Sequence, residues 1–147
     1  MNLLSRRSLV AVLCLLTVAL VGFAGDAEPP LKVLDASDTA GIRKEVGREV
    51  IVTGVVSKAA WSRSGKVFNI EFEGNDSSDF AAAVFQRSRE RFDRSFNGDL
   101  SQTLTGATVR LKGEIQEYGG QSSQFKGRPE MVLGAPTQIT ILDTSDE

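Results

Sequence analysis

The side chains that most often carry catalysis or hold transition metals are scarce in this chain. It has no histidine, and its single cysteine, Cys14, lies inside an apolar N-terminal run. Imidazole bases and ligands are therefore excluded, as are thiolate sites and disulfides beyond that run. No nucleophile elbow and no phosphate-cradling glycine loop occurs. What remains is carboxylate and lysine chemistry. Glu71, Glu73, Asn75, Asp76 and Asp79 collect oxygen donors of the kind calcium takes, but their spacing lacks the fixed glycine and distal glutamate of a calcium loop. No carboxylate is paired with a second group for acid–base work. Arg87, Arg89, Arg91 and Arg94 form a basic cluster diluted by Glu90, Asp93 and Asp99, the pattern of a solvated helix face. The expectation is a protein that binds and does not catalyse, with no cofactor and no metal.

The elements that would position a binding site must fit in one small domain. The chain has 147 residues, with 41% hydrophobic and 24% charged content, ordinary for a globular protein. Residues 1–24 have the order of an export signal: Arg6 and Arg7, then an apolar run over 9–24, then small residues at Gly22, Ala24 and Ala27. That run is short for a membrane span, and a twin-arginine and a general export route both fit it. Leu13, ahead of Cys14, is not the small residue a lipoprotein site needs. The expected location is exported, periplasmic or extracellular, with no membrane insertion of the mature chain. Without Arg6 and Arg7 the 17 basic residues become 15 against 19 acidic ones, a mature charge of about −4. A general electrostatic grip on nucleic acid is thereby excluded, and any such binding needs a local basic patch.

After a linker over 25–34, residues 35–142 form the domain and 143–147 an acidic tail. Residues 35–46 are expected to form a short helix capped by Ser37 or Asp38, with Ile42 and Val46 on one side and Gly47 after its last turn, covering one end of a barrel. A long strand over 47–61 follows, with Val50, Val52, Gly54 and Val56 on one face, and Gly54 suggests a bend or bulge. The second strand, 66–73, alternates Phe68, Ile70 and Phe72 against Val67, Asn69, Glu71 and Glu73. The third, 80–85, carries Ala81 to Ala83 and so offers little bulk on either face. An amphipathic helix over 86–96 pairs Phe92 with Phe96 inside and Arg89 with Asp93 and Glu90 with Arg94 outside. The fourth strand, 107–118, alternates Val109, Leu111, Gly113 and Ile115 against Arg110, Lys112, Glu114 and Gln116. A glycine-rich hairpin, 119–127, leads to the fifth strand at 128–133, and 138–142 closes the chain.

The fold class expected is all-β with a short helix: a five-stranded Greek-key barrel with a helix between the third and fourth strands and a short helix in front. The words VIVTGVV at 50–56, SGKVFNIEF at 64–72, FAAAVF at 80–85, GATVRLKGEI at 106–115 and GRPEMVL at 127–133 follow one another in that order. Together they resemble the tRNA-anticodon-type OB-fold family of nucleic-acid-binding domains, in particular its small exported bacterial members. The resemblance implies a binding face on the outer surface of the second and third strands, framed by the hairpin after the first strand and the one between the fourth and fifth. By position it implies as ligand-binding residues Trp61, Arg63, Lys66, Arg110, Lys112, Tyr118, Lys126 and Arg128. Aromatics there would stack bases while basic groups follow the backbone of single-stranded nucleic acid or another polyanion. On the residues alone, Trp61 is either a stacking platform or a half-buried lid on the barrel, and Arg110 and Lys112 also suit the wet face of any half-exposed strand. The alternative function is an envelope protein or glycan interaction module with no nucleic-acid role.

Overall fold

The computed structural model describes residues 25 and 27–142. The expected export signal, Cys14 and the acidic tail at 143–147 lie outside the described residues.

Alternation of apolar and polar residues builds a sheet that closes on itself. Seven strands are formed: β1 (Val33–Asp35), β2 (Glu49–Trp61), β3 (Val67–Phe72), β4 (Ala81–Phe85), β5 (Thr108–Glu117), β6 (Pro129–Val132) and β7 (Ile139–Leu142). Their order is β1-β2-β3-β4-β6-β5-β7, and β2 also pairs with β5. The ring β2-β3-β4-β6-β5 is therefore a closed five-stranded barrel, antiparallel except at β4–β6. With helices inserted between its third and fourth strands, this is the OB-fold expected from the sequence. β1 and β7 extend the sheet outside the ring, on β2 and β5 respectively.

The inward faces follow the predicted parity. Val50, Val52, Val56, Phe68, Ile70, Phe72, Val109, Leu111 and Ile115 are all buried in one core, and Phe72 stacks on Phe80 with ring centroids 5.6 Å apart. Gly54 has a different role from the one expected. Its stretch stays in register with β5, and the irregularity in β2 falls between Val56 and Lys58. The glycine is needed because a Cβ there would stand 2.6 Å from the Ala36 Cβ and 3.0 Å from the Phe72 ring. The bulge at Ser57 inverts the parity of β2, so Ala59 and Trp61, rather than Lys58 and Ala60, continue the inward face. It falls where β2 leaves β5 and joins β3, the turn a strand must make to belong to both halves of a barrel.

Helical caps close the ends. The first helix is shorter than expected: α1 (Thr39–Arg43) is capped by the Asp38 side chain, which accepts from the Gly41 N–H. Ile42 enters the core, but Val46 is exposed, because the chain has already left helical geometry and bridges to Ile115. Residues 33–35, placed in the lead-in and at the domain start, form β1, with Leu34 buried. After a 3-10 turn at Gln86–Ser88, α2 (Arg89–Ser95) buries Phe92 and carries both expected ion pairs, Arg89–Asp93 at 3.4 Å and Arg94–Glu90 at 2.9 Å. The chain turns at Asn97 and Gly98, both with positive φ. A further helix lies between the expected helix over 86–96 and the strand over 107–118: α3 (Leu100–Leu104) is capped by Asp99 and buries Leu100 and Leu104. Among the described residues no helix is long and apolar enough to cross a membrane.

Candidate ligand-binding groove

The same parity that fills the barrel decides which residues face outward beside one another. Asn69 pairs with Ala83, Val67 with Phe85, Ala81 with Glu130, and Gln116 with Glu130, so these side chains share the outer face of β3, β4, β6 and the last turn of β5. Ala81 and Ala83 keep that face low in the middle. The strands' hairpins raise its sides: Ser62, Ser64 and Lys66 on one, and Tyr118, Gly119, Gly120 and Phe125 on the other. The result is a groove of about 590 Å³, lying on the face the resemblance implied.

Its far wall is a clasp of aromatic rings around one cation. Tyr118 meets Phe125 edge to face with centroids 5.5 Å apart, and the Arg128 guanidinium lies 4.2 Å from the Phe125 centroid and 5.4 Å from that of Tyr118. Gly120 lets the Tyr118 hydroxyl lie close to the backbone, since a Cβ would collide with it. Arg128 is only 6% exposed. Its Nη2 donates to Glu130 Oε2 at 3.4 Å, and Glu130 Oε1 accepts from Gln116 Nε2 at 3.5 Å. Arg128 Nε is buried without a partner among the described residues.

Of the eight residues carried over by position, Lys66, Tyr118 and Arg128 line this groove. Trp61 and Arg63 line a smaller adjoining hollow with Lys58, Ala60, Asn69 and Glu71. Trp61 itself is half-buried, edge-on to Phe68 at 5.3 Å, with the Arg89 guanidinium 4.6 Å from its ring centroid. The parity change at Ser57 turns it toward the core. Lys126 is exposed on the second hairpin and does not line the groove. Arg110 and Lys112 are exposed on a different face, where β5 pairs with β2 and β7, and Lys112 is 3.4 Å from Glu49. β5 passes from that face to the groove after Gly113, whose missing Cβ makes room for Met131.

Several lining residues were missed in the sequence. Phe125 is a lone aromatic in a polar, glycine-rich hairpin, and that isolation was a usable signal. Glu130 and Phe85 gave none, because a short strand does not announce which face its polar residue takes. The acidic loop is self-satisfied: Asp76 accepts from the Ser78 N–H and hydroxyl, and Asn75 Nδ2 donates to the carbonyls of Ala36 and Phe80. Among the described residues no group of three or more acidic side chains converges on a metal position. Carboxylates held below their ordinary range lie outside the groove: Asp35 and Asp76 through hydrogen bonds from Ser37 and Ser78, and Glu45 through Lys32 Nζ at 2.6 Å.

No protein-family model matches the chain, and no curated protein matches it. Solved structures are similar in fold. An OBody bound to hen egg-white lysozyme shares 21% identity at a TM-score of 0.49, over 73% of this chain and 93% of its own. The asparaginyl-tRNA synthetase of Entamoeba histolytica shares 15% at 0.49, over 80% of this chain and 25% of its own. Yeast Stn1 and Ten1 give 12% at 0.46, over 80% of this chain and 65% of the other. A putative aspartyl-tRNA synthetase from Leishmania major is matched at 11% and 0.48, over 76% of this chain and 20% of its own length. The chain thus spans a quarter or less of the two synthetase chains.

Proposed function

We propose that this protein is an exported OB-fold binding module that holds a single-stranded nucleic acid or another extended polyanion in the groove between residues 62–66 and 118–128, without catalysing its turnover. The observation that carries the reading is the coincidence, in one groove, of aromatic rings with two cationic groups: Tyr118, Phe125 and Phe85 with Lys66 and Arg128. Stacking on rings supplies sequence-tolerant affinity of about 1–3 kcal/mol per base, and basic groups hold the backbone. Export rests on the order of charged, apolar and small residues over 1–27. The absence of histidine from the whole chain removes imidazole acid–base catalysis from what the groove could do.

Titration of a fluorescent oligothymidylate at low and moderate salt tests the reading. Binding should weaken as salt rises, and Lys66→Ala and Tyr118→Ala should each weaken it several-fold, about 1 kcal/mol or more. Arg110→Ala with Lys112→Ala should leave it unchanged. Salt-independent binding, or loss of binding only in the Arg110 and Lys112 variant, would contradict the reading. A second reading, an envelope glycan or protein module, is favoured by the alanine floor and by Glu130, which offsets one of the two cations. It expects recovery of a glycan or protein from envelope extract and no oligonucleotide binding.

A further inference from the structure

The groove wall holds a charged group that is buried with few of its donors paired. Arg128 sits there at 6% exposure, and a buried guanidinium is costly unless its donors are used. Of its three nitrogens only Nη2 has a partner among the described residues, and that contact, at 3.4 Å, is at the long limit of a hydrogen bond. The rings of Phe125 and Tyr118 hold the guanidinium in a defined place. Nε is enclosed and out of a ligand's reach, so the stacked guanidinium offers an oxyanion its end, where Nη1 has no partner among the described residues and Nη2 holds only that long contact, at the groove wall. Lys66, exposed on the opposite hairpin, supplies a second positive charge.

We infer that the groove seats one oxyanion of its ligand, a phosphodiester or a carboxylate, on the guanidinium of Arg128, and that Glu130 acts as an internal competitor that keeps this contact weak. The inference rests on the groove being the binding site. Glu130, 4% exposed, balances the charge of Arg128 within the protein. An arriving anion must share the guanidinium with that carboxylate and is repelled by it. The long contacts of both Glu130 oxygens leave the arrangement free to yield. Glu130 therefore sets affinity, and Arg128 sets which chemical group is accepted.

The test measures binding of oligothymidylate and of oligogalacturonate, one phosphodiester and one carboxylate polymer, to the wild type, Glu130→Gln and Arg128→Lys. At least one probe should bind the wild type. Glu130→Gln should bind it about tenfold more tightly, and Arg128→Lys, which keeps the charge but loses the fork, about tenfold less tightly. Which probe binds identifies the source of the oxyanion. If the wild type binds but both variants stay within about twofold of it, or Glu130→Gln binds more weakly, the inference fails while the groove reading stands. If neither probe binds the wild type, both fail. Should Arg128→Lys lose its cooperative thermal transition, the direction of change in Glu130→Gln decides alone.

Discussion

Two residues show how position, rather than type, sets what a side chain does. Gly54 drew attention as a bend, yet its backbone is regular and its importance is the space taken by Ala36 and Phe72. Gly54→Ala should lower unfolding free energy by about 1–3 kcal/mol, as overpacking does, measured by urea denaturation. An unchanged midpoint would mean that Ala36 moves aside freely. Trp61, the only tryptophan, was readable as platform or lid, and the one-residue bulge at Ser57, invisible in composition, turns it inward. Trp61→Phe should therefore keep groove binding within about twofold, in contrast to Tyr118→Ala. A large loss of affinity in Trp61→Phe would move the site toward the adjoining hollow.

At the scale of elements, period was legible and boundaries were less so. The alternation of Phe68, Ile70 and Phe72, or of Val109, Leu111 and Ile115, specified a buried face because one slip would have exposed it entirely. The five-residue helix α3 escaped notice because one and a half turns leave no period to read, although the Asp99 cap was in plain view. Asp99→Ala should cost about 1 kcal/mol, read from thermal or chemical unfolding, since it removes the acceptor for the Gln102 N–H. β1 was hidden for another reason: three residues pair in parallel and depend on partners far along the chain. Lys32, just ahead of it, is tied to Glu45 at 2.6 Å. That hydrogen bond holds Glu45 below its ordinary value of 4.5. A depressed folded-state value stabilises the fold above the unfolded value, and this share is lost as pH falls through the folded one. The wild-type Tm should therefore fall on acidification below about pH 4.5, and Glu45→Gln should lower Tm at neutral pH and shallow that acid limb. An acid limb of identical shape in the variant would show that Glu45 contributes nothing to it.

For the whole molecule, the barrel was legible because its strand order is written in the succession of apolar words, and the site was legible only as a face. Which residues share a face depends on where β2 and β5 cross between the two halves of the barrel, at Ser57 and after Gly113. Those crossings separate Arg110 and Lys112 from Lys66, Tyr118 and Arg128, which the family resemblance had grouped together. A net charge of about −4 over residues 25–147 is compatible with the proposed polyanion binding only if attraction is confined to one groove while the rest of the surface repels. Mapping amide chemical shifts of isotopically labelled residues 25–147 during an oligothymidylate titration at low salt tests this most directly. The shifts should concentrate at 62–69, 81–85 and 116–130 and shrink as salt is added. Shifts centred on Arg110, Lys112 and their neighbours in β2 and β7, or none at all, would contradict the account.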